Sequence, residues 1–351
     1  MPMVVLGIDA HKRTHTVVAV DEVGRQLGVK VTQSTCTAAH LDLVVWADRF
    51  GPERRWAVED CRHLSRRLEA DLLAAGEQIV RVPPKLMARA RDSARTYGKS
   101  DPIDALAVAR AALREPGLPT ARLAGPEREL RLLVDHRENL VAERTRAVNR
   151  LRWHLHELDP GWDPRPRSLS RRTHLAAVAA RLAGAEGMVA RIAIDLTARI
   201  TALTTDINAL EREISARVRE LAPSLLAMTG AAELTAAKVV AETAGVDRFK
   251  SKDAYARHNG TAPLPAWSGN PNRHRLARTG NRRLNCAIHR IAITQKRCHP
   301  QAQAYLKNRA AAGDTKTEAL RALKRRISDA VYRNLKADTE NNPAVLLGQA
   351  A

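Results

Sequence analysis

Three apolar runs in succession, then helical and apolar runs in alternation, constrain the first 125 residues more tightly than any other stretch of the chain. Val4-Val5-Leu6-Gly7-Ile8 leads into Asp9, and Val17-Val18-Ala19-Val20 follows the polar turn His11-Lys12-Arg13-Thr14. With Leu27–Thr32, these runs predict strands over 3–9, 15–20 and 27–32, joined as a β-meander. Apolar spacing then predicts helix 38–49, strand 55–58, helix 64–75 stopping at Gly76, strand 78–82 and helix 101–113. The outcome is a mixed sheet with helices on its faces.

Carboxylates sit at the ends of these elements. Asp9 ends the first strand, and Glu59 ends the run Trp56-Ala57-Val58. Asp101 and Asp104 are three apart at a helix start and share one face. Singly, each has an ordinary structural role. Asp9 and Glu59 can close strands, with Asp60 competing for the place of Glu59. Asp101, followed by Pro102, can cap a helix. Together they predict a site for a hard divalent cation, two of which can clamp a phosphodiester. The element order with acids in these slots resembles an RNase H-like nuclease core.

Charge points the same way. The 351 residues, enough for two or three domains, include 58 Lys or Arg against 38 Asp or Glu, a net charge of +20. From Lys250 to Lys336 there are 20 Lys or Arg against four acids, Asp253, Asp314, Glu318 and Asp329. Such an excess predicts a polyanionic partner, nucleic acid, with affinity that falls steeply with salt. Aromatic residues are only 3% of the chain, which favours recognition of backbone, shape or base pairing over extensive base stacking. Cys36, Cys61, Cys286 and Cys298 form no CxxC pair, as expected of a reduced, cytoplasmic protein. Cys298-His299 near His289 does not match zinc-finger spacing. No apolar run approaches the ~20 residues of a membrane span.

The remaining chain is predicted helical. A basic helix over 127–158 is broken by the run from Asp159 to Pro166. A second helix is expected over 174–222. Its residues Ala193, Leu196, Ile200, Leu203, Ile207, Leu210 and Ile214 step by three and four, the register of a coiled coil. An intrachain hairpin and a self-association arm both satisfy that register. Leu226 to Lys238 reads as helix, glycine turn, helix, and resembles a helix-hairpin-helix with Lys238 as a candidate nucleic-acid contact. Ser268, in Trp267-Ser268-Gly269, precedes an arginine cluster of Arg273, Arg275, Arg278, Arg282 and Arg283. Ser-Gly is commonly just a turn, but beside these cations it is also a candidate nucleophile for a phosphodiester. The domains expected are 1–125 (α/β), 126–225 (helical linker and coiled coil) and 226–337 (mostly α), with a tail over 338–351.

Gly98-Lys99-Ser100-Asp101-Pro102-Ile103-Asp104-Ala105 resembles the signature of the DEDD transposases, the recombinases of insertion sequences of the one-ten family. Gly7-Ile8-Asp9-Ala10-His11-Lys12 is similar to that family's opening motif, and Ala57-Val58-Glu59 to its second acid. Glu138 to Leu151 resembles its linking helix. Gly260 to Gly269, Arg273-His274-Arg275-Leu276 and Gly280 to Asn285 resemble its transposase domain. The likeness runs in order over residues 3–335. It implies a RuvC-like domain in which Asp9, Glu59, Asp101 and Asp104 bind Mg2+, two ions with Mn2+ as substitute. It implies Ser268 as the nucleophile that links to a DNA 5′ end. It further implies a structured guide (bridge) RNA that pairs with donor and target DNA, and homodimers that join into tetramers, acting in the cytoplasm at the bacterial nucleoid. Two other functions fit the residues: a Holliday-junction-resolving nuclease using water, and a non-catalytic nucleic-acid-binding scaffold.

Overall fold

Strand β1 (Val4–Ala10) is buried along its whole length, because it lies inside a five-stranded sheet of order β3-β2-β1-β4-β5. It pairs antiparallel with β2 (Thr14–Val20) and parallel with β4 (Arg54–Glu59). β3 (Gln26–Gln33) runs antiparallel along β2, and β5 (Ile79–Val82) parallel along β4. The near-continuous apolar run of β1 is what a strand covered on both faces requires. Side chains alternate across it. Val4, Leu6 and Ile8 pack with Leu43 and Trp46 of α1 (Thr37–Asp48) and with Leu68 and Leu72 of α2 (Arg62–Ala74). Val5 faces the other way, into a cluster with Val18, Ala57 and the small residues Ala105, Val108 and Ala109 of α3 (Asp101–Arg114). The predicted meander and the predicted alternation of helix and strand both form, as a mixed sheet with helices on its faces.

The computed structural model describes residues 3–59, 62–83, 86–87, 100–115, 118, 120–121, 125–265, 274–275 and 280–342. The described residues before Gly125 form one unit and those from Gly125 onward another.

The α1–α2 side of the sheet carries an unusual pair. His15 is fully buried, and neither ring nitrogen has a hydrogen-bond partner among the described residues. Its ring lies 5.6 Å from that of His40, whose Nδ1 is 2.5 Å from Asp71 Oδ2. Burial, then the neighbouring His40 and His11, push His15 down to about 4. The folded unit therefore holds His15 neutral where the unfolded chain would protonate it. Stability should fall as pH drops from about 6.5 towards 4, by about 2 kcal/mol at pH 5. Hydrogen exchange of β2 amides at pH 5 and pH 7 checks this. A His15→Leu protein with an unchanged pH slope would sink the assignment.

The second unit is built on two long helices, α4 (Pro126–Leu158) and α6 (Met188–Leu221). They run antiparallel within the chain. Glu129 meets Arg217 at 2.6 Å, Arg137 meets Glu211, and Glu143 meets Arg199 at 2.6 Å. Ala193 and Ile200 pack with Ala147, Leu151 and Leu155, and Ile214 with Leu130 and Val134. The three-and-four register is thus satisfied by an intrachain partner. The single helix expected over 174–222 is two, α5 (Arg172–Leu182) and α6. Gly184 and Gly187, at φ +84° and +95°, take left-handed conformations that end one helix and admit the next.

The root of this helix pair shares a core with the C-terminal helices. These are α7 (Pro223–Leu226), α8 (Glu233–Thr243), α9 (Lys252–Asn259), α10 (Arg282–Cys298), α11 (Pro300–Ala311) and α12 (Lys316–Glu340). Leu130, Val134, Ile214 and Val218 pack with Val239, Tyr255, Ile288 and Val331. Residues 126–225 and 226–337 are therefore not separate cores. The expected helix-hairpin-helix also differs. α7 is a single turn started by Pro223, so the element before the Gly230 turn is too short for the first helix of such a hairpin. No helix among the described residues is long and apolar enough to cross a membrane.

Candidate metal centre and nucleic-acid interface

The acidic site is assembled by three local facts. First, strand alternation aims Asp9 at the α3 side, together with Val5 and Gly7. Second, β4 lies beside β1 in parallel, with Ile8 opposite Val58. The next residue along each strand is Asp9 and Glu59. Glu59 shares the parity of Ala57, so the two carboxylates leave adjacent strand ends on one face, where strands lie about 4.8 Å apart. Third, α3 lies directly on Gly7. A Cβ there would stand 2.2 Å from the Ala105 carbonyl oxygen and 2.5 Å from the Ala109 nitrogen. This approach carries the first turn of α3, with Asp101 and Asp104, to the end of β1.

Asp9 is 5% exposed and Asp104 7%. Asp101 is the first residue of α3, with Ser100 in the capping position, so its carboxylate is not the cap. His11, two residues beyond Asp9, places Nε2 3.0 Å from Asp9 Oδ2 and 3.4 Å from Asp101 Oδ1. One ligand atom from each of Asp9, His11 and Asp101 falls within 4.8 Å of the others. Burial pushes the Asp9 carboxyl above its usual range. His11 opposes that shift, and Asp104 and Asp101 add to it through like charge. A buried carboxylate crowded by two more is relieved by a cation, so these residues fit a divalent metal. Carboxylate oxygens suit magnesium, and one imidazole among them is compatible with manganese. His11 was not singled out by its type. The signal was its position, one residue past the end of β1 and two beyond Asp9.

The basic candidates lie in the second unit. Ser268, Arg273 and Arg278 fall outside the described residues. The strands that bracket Ser268 and Arg273 in sequence are present: β6 (Leu264–Pro265) pairs with β7 (His274–Arg275), Leu264 opposite Arg275 and Pro265 opposite His274. Arg282 and Arg283 open α10, whose Asn281 side chain caps the helix by accepting from the Arg283 and Leu284 nitrogens. Arg282 is exposed. Arg283 and Lys238 are tied into an intrachain network. Lys238 Nζ donates to both Glu138 carboxylate oxygens at 2.8 Å. Arg283 meets Glu138 at 2.7 Å, Glu242 at 3.2 Å and also Asp135. Burial raises Glu138, but hydrogen bonds from Lys238 and Arg283 outweigh it and hold the carboxyl below its usual range. These charges fasten α4, α8 and α10 to one another.

One unit therefore offers two adjacent strand ends where carboxylates gather, and the other a strongly basic helical assembly. Residues 6–160 match the model of the DEDD transposases, and residues 222–307 match that of the transposase IS116/IS110/IS902 family. The chain is 31% identical over 396 residues to the insertion element IS116 uncharacterized 44.8 kDa protein of Streptomyces clavuligerus, covering 99% of this chain and 98% of that one. It is 27% identical to the insertion element IS900 uncharacterized 42 kDa protein of Mycobacterium paratuberculosis, covering 98% of each. The chain belongs to the IS116/IS110/IS902 family of insertion-element transposases. Among solved structures, Thermus thermophilus RuvC in complex with a Holliday junction substrate aligns with 18% identity and a TM-score of 0.27, over 34% of this chain and 99% of RuvC.

Proposed function

We propose that this transposase is a metal-dependent DNA recombinase that cuts and rejoins strands through a serine nucleophile. The observation that carries the reading is the gathering of Asp9, Asp101 and Asp104, with Glu59 at the adjacent strand end. Asp9, Glu59, Asp101 and Asp104 would hold magnesium, with His11 beside them. A bound divalent ion supplies stabilisation of charge on the phosphodiester oxygens.

The protein's own groups do the rest. Ser268 Oγ attacks phosphorus, the Oγ–P bond forms and the bond to the 3′-oxygen breaks. The serine proton is lost and the 3′-oxygen gains one, so a 3′-hydroxyl and a phosphoserine on the 5′ end result. The link keeps the phosphodiester energy for rejoining. Arg273, Arg275, Arg278 and Arg282 would hold the phosphates, since guanidinium binds them in two-pronged fashion. Lys238 and Arg283 would position this surface through Glu138. A structured guide RNA paired with donor and target DNA accounts for the low aromatic content. Dimers that join into tetramers would bring one chain's acidic site to another's serine.

The test is a denaturant-resistant protein–DNA adduct on an insertion-element end. Wild type should form it in Mg2+, and Ser268→Ala should not. Free 3′ and 5′ ends without an adduct would instead mean hydrolysis by water.

A further inference from the structure

A cavity of about 300 Å3 opens between α11, α12 and the segment Gly260–Pro263 that leads into β6. Its size is that of a small-ligand pocket. It lies beside the paired strands β6 and β7. In sequence β6 and β7 flank residues 266–273, and Gly260 packs so tightly on Gly280 that a Cβ on Gly280 would sit 2.3 Å from the Gly260 nitrogen.

The cations lining the cavity are not equivalent. Arg325 is met by Asp253 and Asp329, and Arg309 by Asp314 at 2.5 Å. Lys324 differs. It is 8% exposed, and its ammonium donates to Asn285 Oδ1 at 2.6 Å. No carboxylate among the described residues pairs with it. Burial pushes Lys324 below its ordinary value; Cys286 opposes that shift, and nearby Arg321 adds to it to a smaller degree. Arg321 lines the same cavity and donates at 3.4 Å to the His274 carbonyl of β7. A desolvated ammonium beside a guanidinium, with donors to spare, is stabilised by an anion. At the other side stands Tyr305, half-buried against the helical core, with the Arg326 guanidinium 4.5 Å from its ring centre. A tyrosine backed by arginine is a platform for a nucleobase.

We propose that this cavity takes one unstacked nucleotide of a bound strand, its phosphate at Lys324 and Arg321 and its base on Tyr305. The proposal rests on the recombinase reading only for the source of the strand. One base needs one ring, so it is consistent with a chain poor in aromatics. A nucleotide anchored beside β6 and β7 would hold a bound strand in register on this unit.

Fluorescence anisotropy in EDTA, with the full chain, tests this apart from cleavage. The probes are a labelled single-stranded 12-mer and the same sequence as a duplex. Tyr305→Ala should weaken single-strand binding about 10-fold, with the duplex changed less than about 2-fold. Tyr305→Phe should restore it. Arg321→Gln should lower the salt slope for the single strand by about 0.7. A deoxynucleoside monophosphate should displace the strand at lower concentration than inorganic phosphate. Equal loss for single strand and duplex, an unchanged affinity in Tyr305→Ala, or equal potency of inorganic phosphate would each overturn the proposal. If binding behaves as expected but no cleavage occurs in Mg2+, the recombinase reading fails and this one stands.

Discussion

Gly7→Ala should lower cleavage about 100-fold and destabilise the N-terminal unit by about 3 kcal/mol, the upper end of the cost of overpacking. The reason is the closeness of α3. The added methyl would lie 2.2 Å from the Ala105 carbonyl oxygen, 2.5 Å from the Ala109 nitrogen and 2.7 Å from the Ala109 Cβ. Two of these are backbone atoms at the middle of a helix, and Gly7 is at the middle of a central strand. Neither can rotate aside as the tip of a long side chain would. Interiors packed as densely as crystals pass such strain on rather than absorb it, so α3 must lift. Asp101 and Asp104 travel with it, away from Asp9. A displacement near 1 Å at a reacting centre costs about 100-fold in rate. Circular dichroism melts and a strand-cleavage assay check both parts. A Gly7→Ala protein with wild-type melting and cleavage would show that the helix is not seated on this strand.

Asp9→Asn separates stability from activity. Asp9 is buried beside two further carboxylates, and burial first, then Asp104 and Asp101, favour its neutral form despite His11. Above the raised folded value the carboxyl is ionised in folded and unfolded chains alike, and the folded state bears the cost. That cost is full at neutral pH and is relieved as pH falls towards the acid range. Asparagine keeps the shape and removes the charge. In EDTA at pH 8 the variant should melt a few degrees above wild type, and the gap should close at acid pH. Magnesium should raise the melting temperature of wild type and leave the variant unmoved. Cleavage should drop ~1,000-fold, since several kcal/mol of charge stabilisation depend on the ligand. If wild type outlasts the variant in EDTA, the carboxylates do not crowd as the geometry implies.

The N-terminal unit was largely legible in the chain because its signals are local. Alternation of apolar residues places Val5, Gly7 and Asp9 on one face whatever else is present. Ser100-Asp101-Pro102 starts a helix by its own backbone chemistry. The family motifs lie on these same positions. Less local features were not legible. Gly184 and Gly187 split a helix that apolar spacing would carry through, because spacing reports the face and not the backbone break. The heptad register of α6 could be met by a partner within or between chains, and only tertiary contacts, the shared apolar cores and the ion pairs Glu129–Arg217, Arg137–Glu211 and Glu143–Arg199, identify α4 as the partner in this fold.

The basic residues teach the same lesson. Composition placed the positive charge in the last third, since net charge needs no fold to be counted. It did not distinguish Lys238, paired with Glu138, from Lys324, buried without a described carboxylate. Nor did it relate Tyr305 to Arg321, sixteen positions apart but lining one cavity. Periodicity and short motifs act over a few residues and are written in the chain itself. Which charge meets which, and what is left for a ligand, is set by contacts between helices distant in sequence, and these exist only once the core has closed.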